Sequence, residues 1–144
     1  MRTKTRWILP LLLAALISAP GLALAWRAWN WHEVYPVNDK VWEVLSRPGS
    51  GPADFWCGAG DYALSVLRAP VVQRIYIWRE VGASVTKPGY RSVQFAFEPP
   101  AGADTTTGYS LNIKRPGDNL TVAAARQYCF GGKFSLEDRW TPGW

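Results

Sequence analysis

Cys57 and Cys129 are the only cysteines in the chain, and they stand 72 positions apart. Joined, they close a loop whose crosslink the chain-entropy model values at roughly 4 kcal/mol. A small domain is stable by only about 5–15 kcal/mol in total, so a fold that brings these two positions together gains a large share of its stability from them. Whether they join depends on the redox compartment, and the start of the chain bears on that.

The opening stretch MRTKTRWILPLLLAALISAPGLALA places Arg2, Lys4 and Arg6 before an apolar run from about Ile8, with Ala23 and Ala25 framing a cut after Ala25. That is the three-part pattern of a cleavable secretory signal. A membrane anchor is the alternative, since residues 8–26 are nearly all apolar. Pro10 and Pro20-Gly21 interrupt them, however, and leave nine residues between the prolines, shorter than a spanning helix needs. No cysteine at the cut offers a lipid attachment point, and no twin arginine precedes the apolar run. Residues 1–25 are therefore read as the signal and residues 26–144 as one exported domain, periplasmic or secreted, with no stable membrane span after cleavage. The formal charge of +5 includes Arg2, Lys4 and Arg6, which leaves about +2 of mixed sign and no basic stripe for nucleic acid. In an oxidising compartment Cys57 and Cys129 are expected to pair.

In the mature part, residues 40–46 are rich in β-formers and bounded by Asn38-Asp39 and Pro48-Gly49. They read as a strand, or as a short helix capped by Asn38 or Asp39. Residues 54–68, DFWCGAGDYALSVLR, gather Phe55, Trp56, Ala59, Tyr62, Ala63, Val66 and Leu67 on one side at helical spacing, with Gly58, Asp61, Ser65 and Arg68 opposite. This predicts an amphipathic helix capped by Asp54. Gly58 and Gly60 weaken it by up to ~1 kcal/mol each, a cost that close approach of another backbone near Cys57 would explain. Three alternating stretches follow, VVQRIYIWR with Val71, Ile75 and Ile77 on one face, RSVQFAF, and GYSLNIK over residues 108–114. They read as half-buried antiparallel strands. EPPAGADTTT between the last two is an exposed loop by composition. Thr121 caps a short helix over residues 122–129 that turns Ala125, Tyr128 and Cys129 inward. The tail FSLEDRWTPGW is expected to lie over the body, anchored by Trp140 or Trp144. The order β-α-β-β-β-α predicts an α+β, two-layer domain, with an antiparallel sheet of three to four strands packed on two helices and a single disulfide.

Chemistry-bearing patterns are few. His32 is the single histidine, CxxC and HExxH do not occur, and Asp54, Asp61, Asp104 and Asp118 form no patterned calcium loop, so neither a metal nor a cofactor is expected. Cys57 near a helix start with His32 as base would make a nucleophile only if Cys57 were free. CGAGD lacks the flanking residues of a phosphate loop. Glu80 and Glu98 stand at strand ends as a weak carboxylate pair. Asn119-Leu120-Thr121 matches a glycosylation acceptor, relevant only in a eukaryotic host.

Tryptophan is the outstanding excess. Nine in the chain are more than a small core readily encloses. Arg74, Tyr76 and Trp78, joined by Gln94, Asn112 and Lys114, would form a polar, aromatic outer sheet face suited to protein or saccharide contact, unless the Trp-rich termini fold across it. The leading expectation is a non-catalytic, exported module binding a protein partner or an envelope saccharide. The alternatives are a small secreted hydrolase using Asp61 or His32, and a structural or inhibitor-like protein whose contact loop spans residues 99–107.

Overall fold

Val41–Leu45 is apolar and rich in β-formers apart from Glu43, Val93 and Phe95 alternate with Ser92 and Gln94 along Arg91–Ala96, and these two segments pair antiparallel at the centre of one sheet. The computed structural model describes residues 24–108 and 110–131. Residues 1–23, Tyr109 and the residues from Gly132 onward lie outside them, and with them most of the expected signal segment and the expected anchoring by Trp140 or Trp144. The elements are β1 (Trp26–Arg27), β2 (Glu33–Pro36), β3 (Val41–Leu45), α1 (Pro52–Ser65), β4 (Arg74–Ala83), β5 (Arg91–Ala96), β6 (Asn119–Thr121) and α2 (Val122–Gln127). The sheet order is β1-β2-β3-β5-β4-β6, and every neighbouring pair is antiparallel. β3 and β4 therefore run parallel on either side of β5, and α1 is the crossover that such a connection requires.

The α+β class, the helices and the Cys57–Cys129 bridge are as expected. The strand count is not: the sheet has six strands rather than three to four. The N-terminal stretch, read only as tryptophan-rich, supplies β1 and β2 through a short hairpin. Residues 108–114, expected as a strand, form none among those described. There the Asn112 side-chain oxygen accepts from the N–H groups of Lys114 and Arg115, and Gly117 takes φ +94°. These local bonds curl the backbone where a ladder would need it extended. Only scattered bonds reach the edge of β4, such as Ile77 N–H to Asp118 O at 2.8 Å, and the strand that does pair there is β6.

Boundaries shift for local reasons. Pro52 opens α1, and Asp54, expected as the cap, accepts the Gly51 N–H at 2.8 Å from inside the first turn. Arg68 takes a left-handed backbone, φ +56°, and Ala69 N–H returns to Ala63 O, ending the helix before Leu67. Val71, expected on the inner face, lies in a turn before β4 and is exposed, and Tyr128 is likewise more exposed than expected. Thr121 caps α2 as expected, accepting from Ala124 N–H.

The inner sheet face carries Val34, Trp42, Val44, Ile75, Ile77, Val93 and Phe95, packed on Trp56, Ala59, Tyr62 and Ala63 of α1. Trp56 meets Phe95 edge-on at 5.1 Å, and its indole N–H donates to Asn112 O at 3.1 Å. Part of the polar side of α1, at Gly58 and Asp61, is also covered. Asp61 there accepts from Trp29 N–H at 3.1 Å and Ser65 Oγ at 3.3 Å, and pairs with Arg126 of α2 at 3.4 Å. No helix among the described residues is long and apolar enough to cross a membrane.

Candidate functional site

The outer sheet face is where the sequence places its binding residues, and pairing defines that face. Tyr35 opposes Glu43, Glu43 opposes Gln94, Leu45 opposes Ser92, and Ala96 opposes Val41 and Tyr76. Its centre is not open. The β4–β5 connection folds back over Glu43, and Glu43, Ser92 and Gln94 are all buried.

Glu43 holds that connection down. Its carboxylate accepts the hydroxyls of Ser84, Thr86 and Ser92 and the N–H groups of Thr86 (2.9 Å) and Val85 (3.3 Å). Burial pushes its pKa up, but the hydrogen bonds outweigh burial and hold the carboxyl at about 2. Ser84 Oγ also accepts the Lys87 N–H, so the loop that carries Lys87 and Tyr90 is fixed to the sheet.

Two recesses stay open on either side of this covered centre. The first, about 360 Å³, lies at the Val41 end of β3 between Asn38, Asp39, Lys40, Trp78, Phe97 and Glu98, with Val41 and Ala96 at its base. Trp78 reaches it through a β-bulge, because Ile77 opposes Phe95 and Arg79 opposes Gln94, leaving Trp78 as the additional residue. Bulges re-aim side chains in this way. The second, about 390 Å³, lies at the Leu45 end and is lined by Arg27, Trp31, Glu33, Arg47, Lys87 and Tyr90. Here Lys87 Nζ sits 2.8 Å from Glu33, and this bond holds the Glu33 carboxyl below its ordinary range and raises the lysine.

Of the predicted binding residues, the fold keeps Arg74, Tyr76 and Trp78 on one strand, with the Arg74 guanidinium donating to Asn119 Oδ1 at 2.5 Å. Gln94 shares their face but is covered. Asn112 and Lys114 do not join them. They belong to the turn beyond the β4 edge, where the Asn112 amide donates to Asp118 and Lys114 is exposed. Glu80 and Glu98 are both exposed. His32 is buried, bonded to Ser50 Oγ at 2.7 Å and Asn30 O at 3.3 Å, and burial lowers its pKa. Asp61, held by Trp29, Ser65 and Arg126, has no partner in common with it. Among the described residues no group of His, Cys, Asp or Glu is placed to hold a metal ion.

Sequence reading missed the Leu45-end recess altogether. The residues that build it, Arg27, Trp31 and Glu33, come together only through the β1–β2 hairpin, while Trp29 between them turns away to Phe130.

No protein family, curated protein or solved structure matches the chain.

Proposed function

We propose that the chain is a non-catalytic, exported binding module that docks an envelope saccharide on the outer face of its sheet, at the Val41-end recess. The observation that carries this is Trp78. It stands 38 % exposed on a bulge, forming the wall of a recess with an apolar base and a polar rim of Asn38, Asp39, Lys40 and Glu98. A flat ring beside amide, ammonium and carboxylate groups can cover the apolar face of a sugar ring while the rim bonds its hydroxyls. A non-catalytic role is supported by how the reactive side chains are used. Cys57 and Cys129 are bonded to each other, and His32 and Asp61 are occupied in separate structural contacts. The disulfide supports export.

The test is sedimentation of the purified, disulfide-bonded protein with isolated envelope saccharide. Replacing Tyr76 and Trp78 by serine is expected to reduce retention at least tenfold. Unchanged retention of a folded double variant eliminates this face.

A further inference from the structure

The Leu45-end recess has a different chemistry from the Trp78 recess. We propose that it is a second binding site, selective for a sugar ring carrying an oxyanion substituent, a carboxylate or a phosphoryl group. Arg27, Arg47 and Lys87 line it against the one carboxylate of Glu33, so its charge favours an anion.

Two of the three cations, Arg27 and Lys87, have partners. Glu33 pairs with Lys87 at 2.8 Å through one oxygen and lies 3.9 Å from Arg27 through the other. The Arg27 guanidinium lies over the Trp31 ring at 5.9 Å and the Lys87 ammonium over the Tyr90 ring at 4.3 Å, so each has an aromatic face as well as Glu33 to fix it. Arg47 has no carboxylate partner among the described residues. Its Nη1 makes only a 3.5 Å bond to Asn30 O, which leaves a planar guanidinium to receive an oxyanion in two-pronged fashion.

Trp31 is the second observation. It closes the β1–β2 hairpin, with Trp31 N–H bonded to Ala28 O at 2.8 Å and Ala28 N–H to His32 O at 2.9 Å. Its φ is +68°, a backbone state that glycine or asparagine takes easily and a bulky residue takes under strain. Trp31 is nevertheless 65 % exposed, so burial gives little return for that strain. A ring so placed is explained by what it meets from outside, and the Tyr90 ring, also exposed, supplies a further platform in the same recess.

The loops bearing these groups are fastened before any ligand arrives. The Asn30 amide donates to Asp54 O at 2.9 Å. Ser50 Oγ accepts Arg47 N–H at 2.8 Å and is bonded to His32. Glu43 secures the Lys87 loop through Ser84 and Thr86. Such fixed geometry lowers the ordering cost of binding. The volume, about 390 Å³, is at the small end of ligand pockets and suits a sugar unit rather than a broad protein surface.

The test is a ¹H–¹⁵N NMR titration of the disulfide-bonded protein, following the Trp31 indole N–H, identified by its disappearance in Trp31→Phe. The probes are glucuronate, glucose 1-phosphate, glucose and inorganic phosphate. Glucuronate or glucose 1-phosphate is expected to shift this resonance, glucose to bind at least tenfold more weakly, and Arg47→Ala to weaken the charged sugar at least tenfold. Trp31→Gly is expected to lose binding with an unchanged or higher Tm, which a purely structural tryptophan would not allow. A response to glucuronate alone assigns the carboxylate, and a response to glucose 1-phosphate alone assigns the phosphoryl group. The proposal is overturned if no probe binds, if glucose binds as tightly, if inorganic phosphate matches glucose 1-phosphate while glucuronate stays silent, or if Arg47→Ala changes nothing. Trp78→Ser is expected to leave this titration unchanged, so the site stands or falls apart from the Trp78 recess.

Discussion

Glu43 sits in the middle of β3 with no exposed surface, and no cation pairs with it among the described residues. It stays ionised because hydroxyl and amide donors surround it, and its folded pKa of about 2 lies below the ordinary 4.5. A carboxyl depressed on folding contributes stability that is full above its unfolded pKa and is lost as pH falls through the folded one. The gap corresponds to about 3 kcal/mol, expected to disappear between pH 4.5 and 2. His32 adds an earlier step. Burial lowers its pKa from 6.5, so the unfolded chain takes up the proton first and stability begins to fall as pH drops below that value. Glu43→Gln presents amide hydrogens to N–H groups that can only donate, and is expected to cost about 2–3 kcal/mol at pH 7. Urea titrations at pH 7, 5 and 3 should show the difference between wild type and variant shrinking below pH 4.5, and a constant difference would refute the assignment. The sequence marks Glu43 only as a charged strand residue. Its donors Ser84 and Thr86 lie 41 and 43 positions away, beyond any local pattern.

At the scale of elements, α1 shows what its glycines are for. The sequence predicts close backbone approach near Cys57, and at Gly60 this is what the structure has. A Cβ there would stand 2.5 Å from the Arg126 nitrogen and 2.9 Å from Ala125, inside the backbone of α2. At Gly58 it would meet the γ-methyls of Val44 at 2.7 and 3.3 Å, a side chain rather than a backbone. Alanine favours a helix by up to ~1 kcal/mol over glycine. Forcing α2 away is expected to outweigh that, so Gly60→Ala should lose about 2 kcal/mol or more. Gly58→Ala should lose less, and part of the loss should return when Val44→Ala is added, because the clash is with that one side chain. Urea unfolding of the single and double variants measures both, and equal losses at the two glycines would contradict this packing. The strand expected at residues 108–114 failed for the opposite reason. Its alternation was sound, but the bonds from Asn112 to its own neighbours competed successfully with the ladder.

For the whole molecule, the Cys57–Cys129 bridge ties the crossover helix to the end of α2, joining residues 72 positions apart. Replacing both cysteines by alanine is expected to cost up to about 4 kcal/mol, measured as a lower urea midpoint with little change in native circular dichroism. An unchanged midpoint would show that the α1–α2 packing holds without it. The bridge, the α+β class, both helices and three of the six strands could be inferred from the sequence alone, because cysteine pairing, capping residues and hydrophobic period are local or compositional signals. The order of six strands and the burial of Asp61 on the polar side of α1 could not be inferred in this way. Nor could the closure of the outer face over Glu43, or the two recesses left beside it. Each depends on which distant segments meet, and such pairings are selected by the free energy of the assembled fold rather than by any stretch of neighbouring residues.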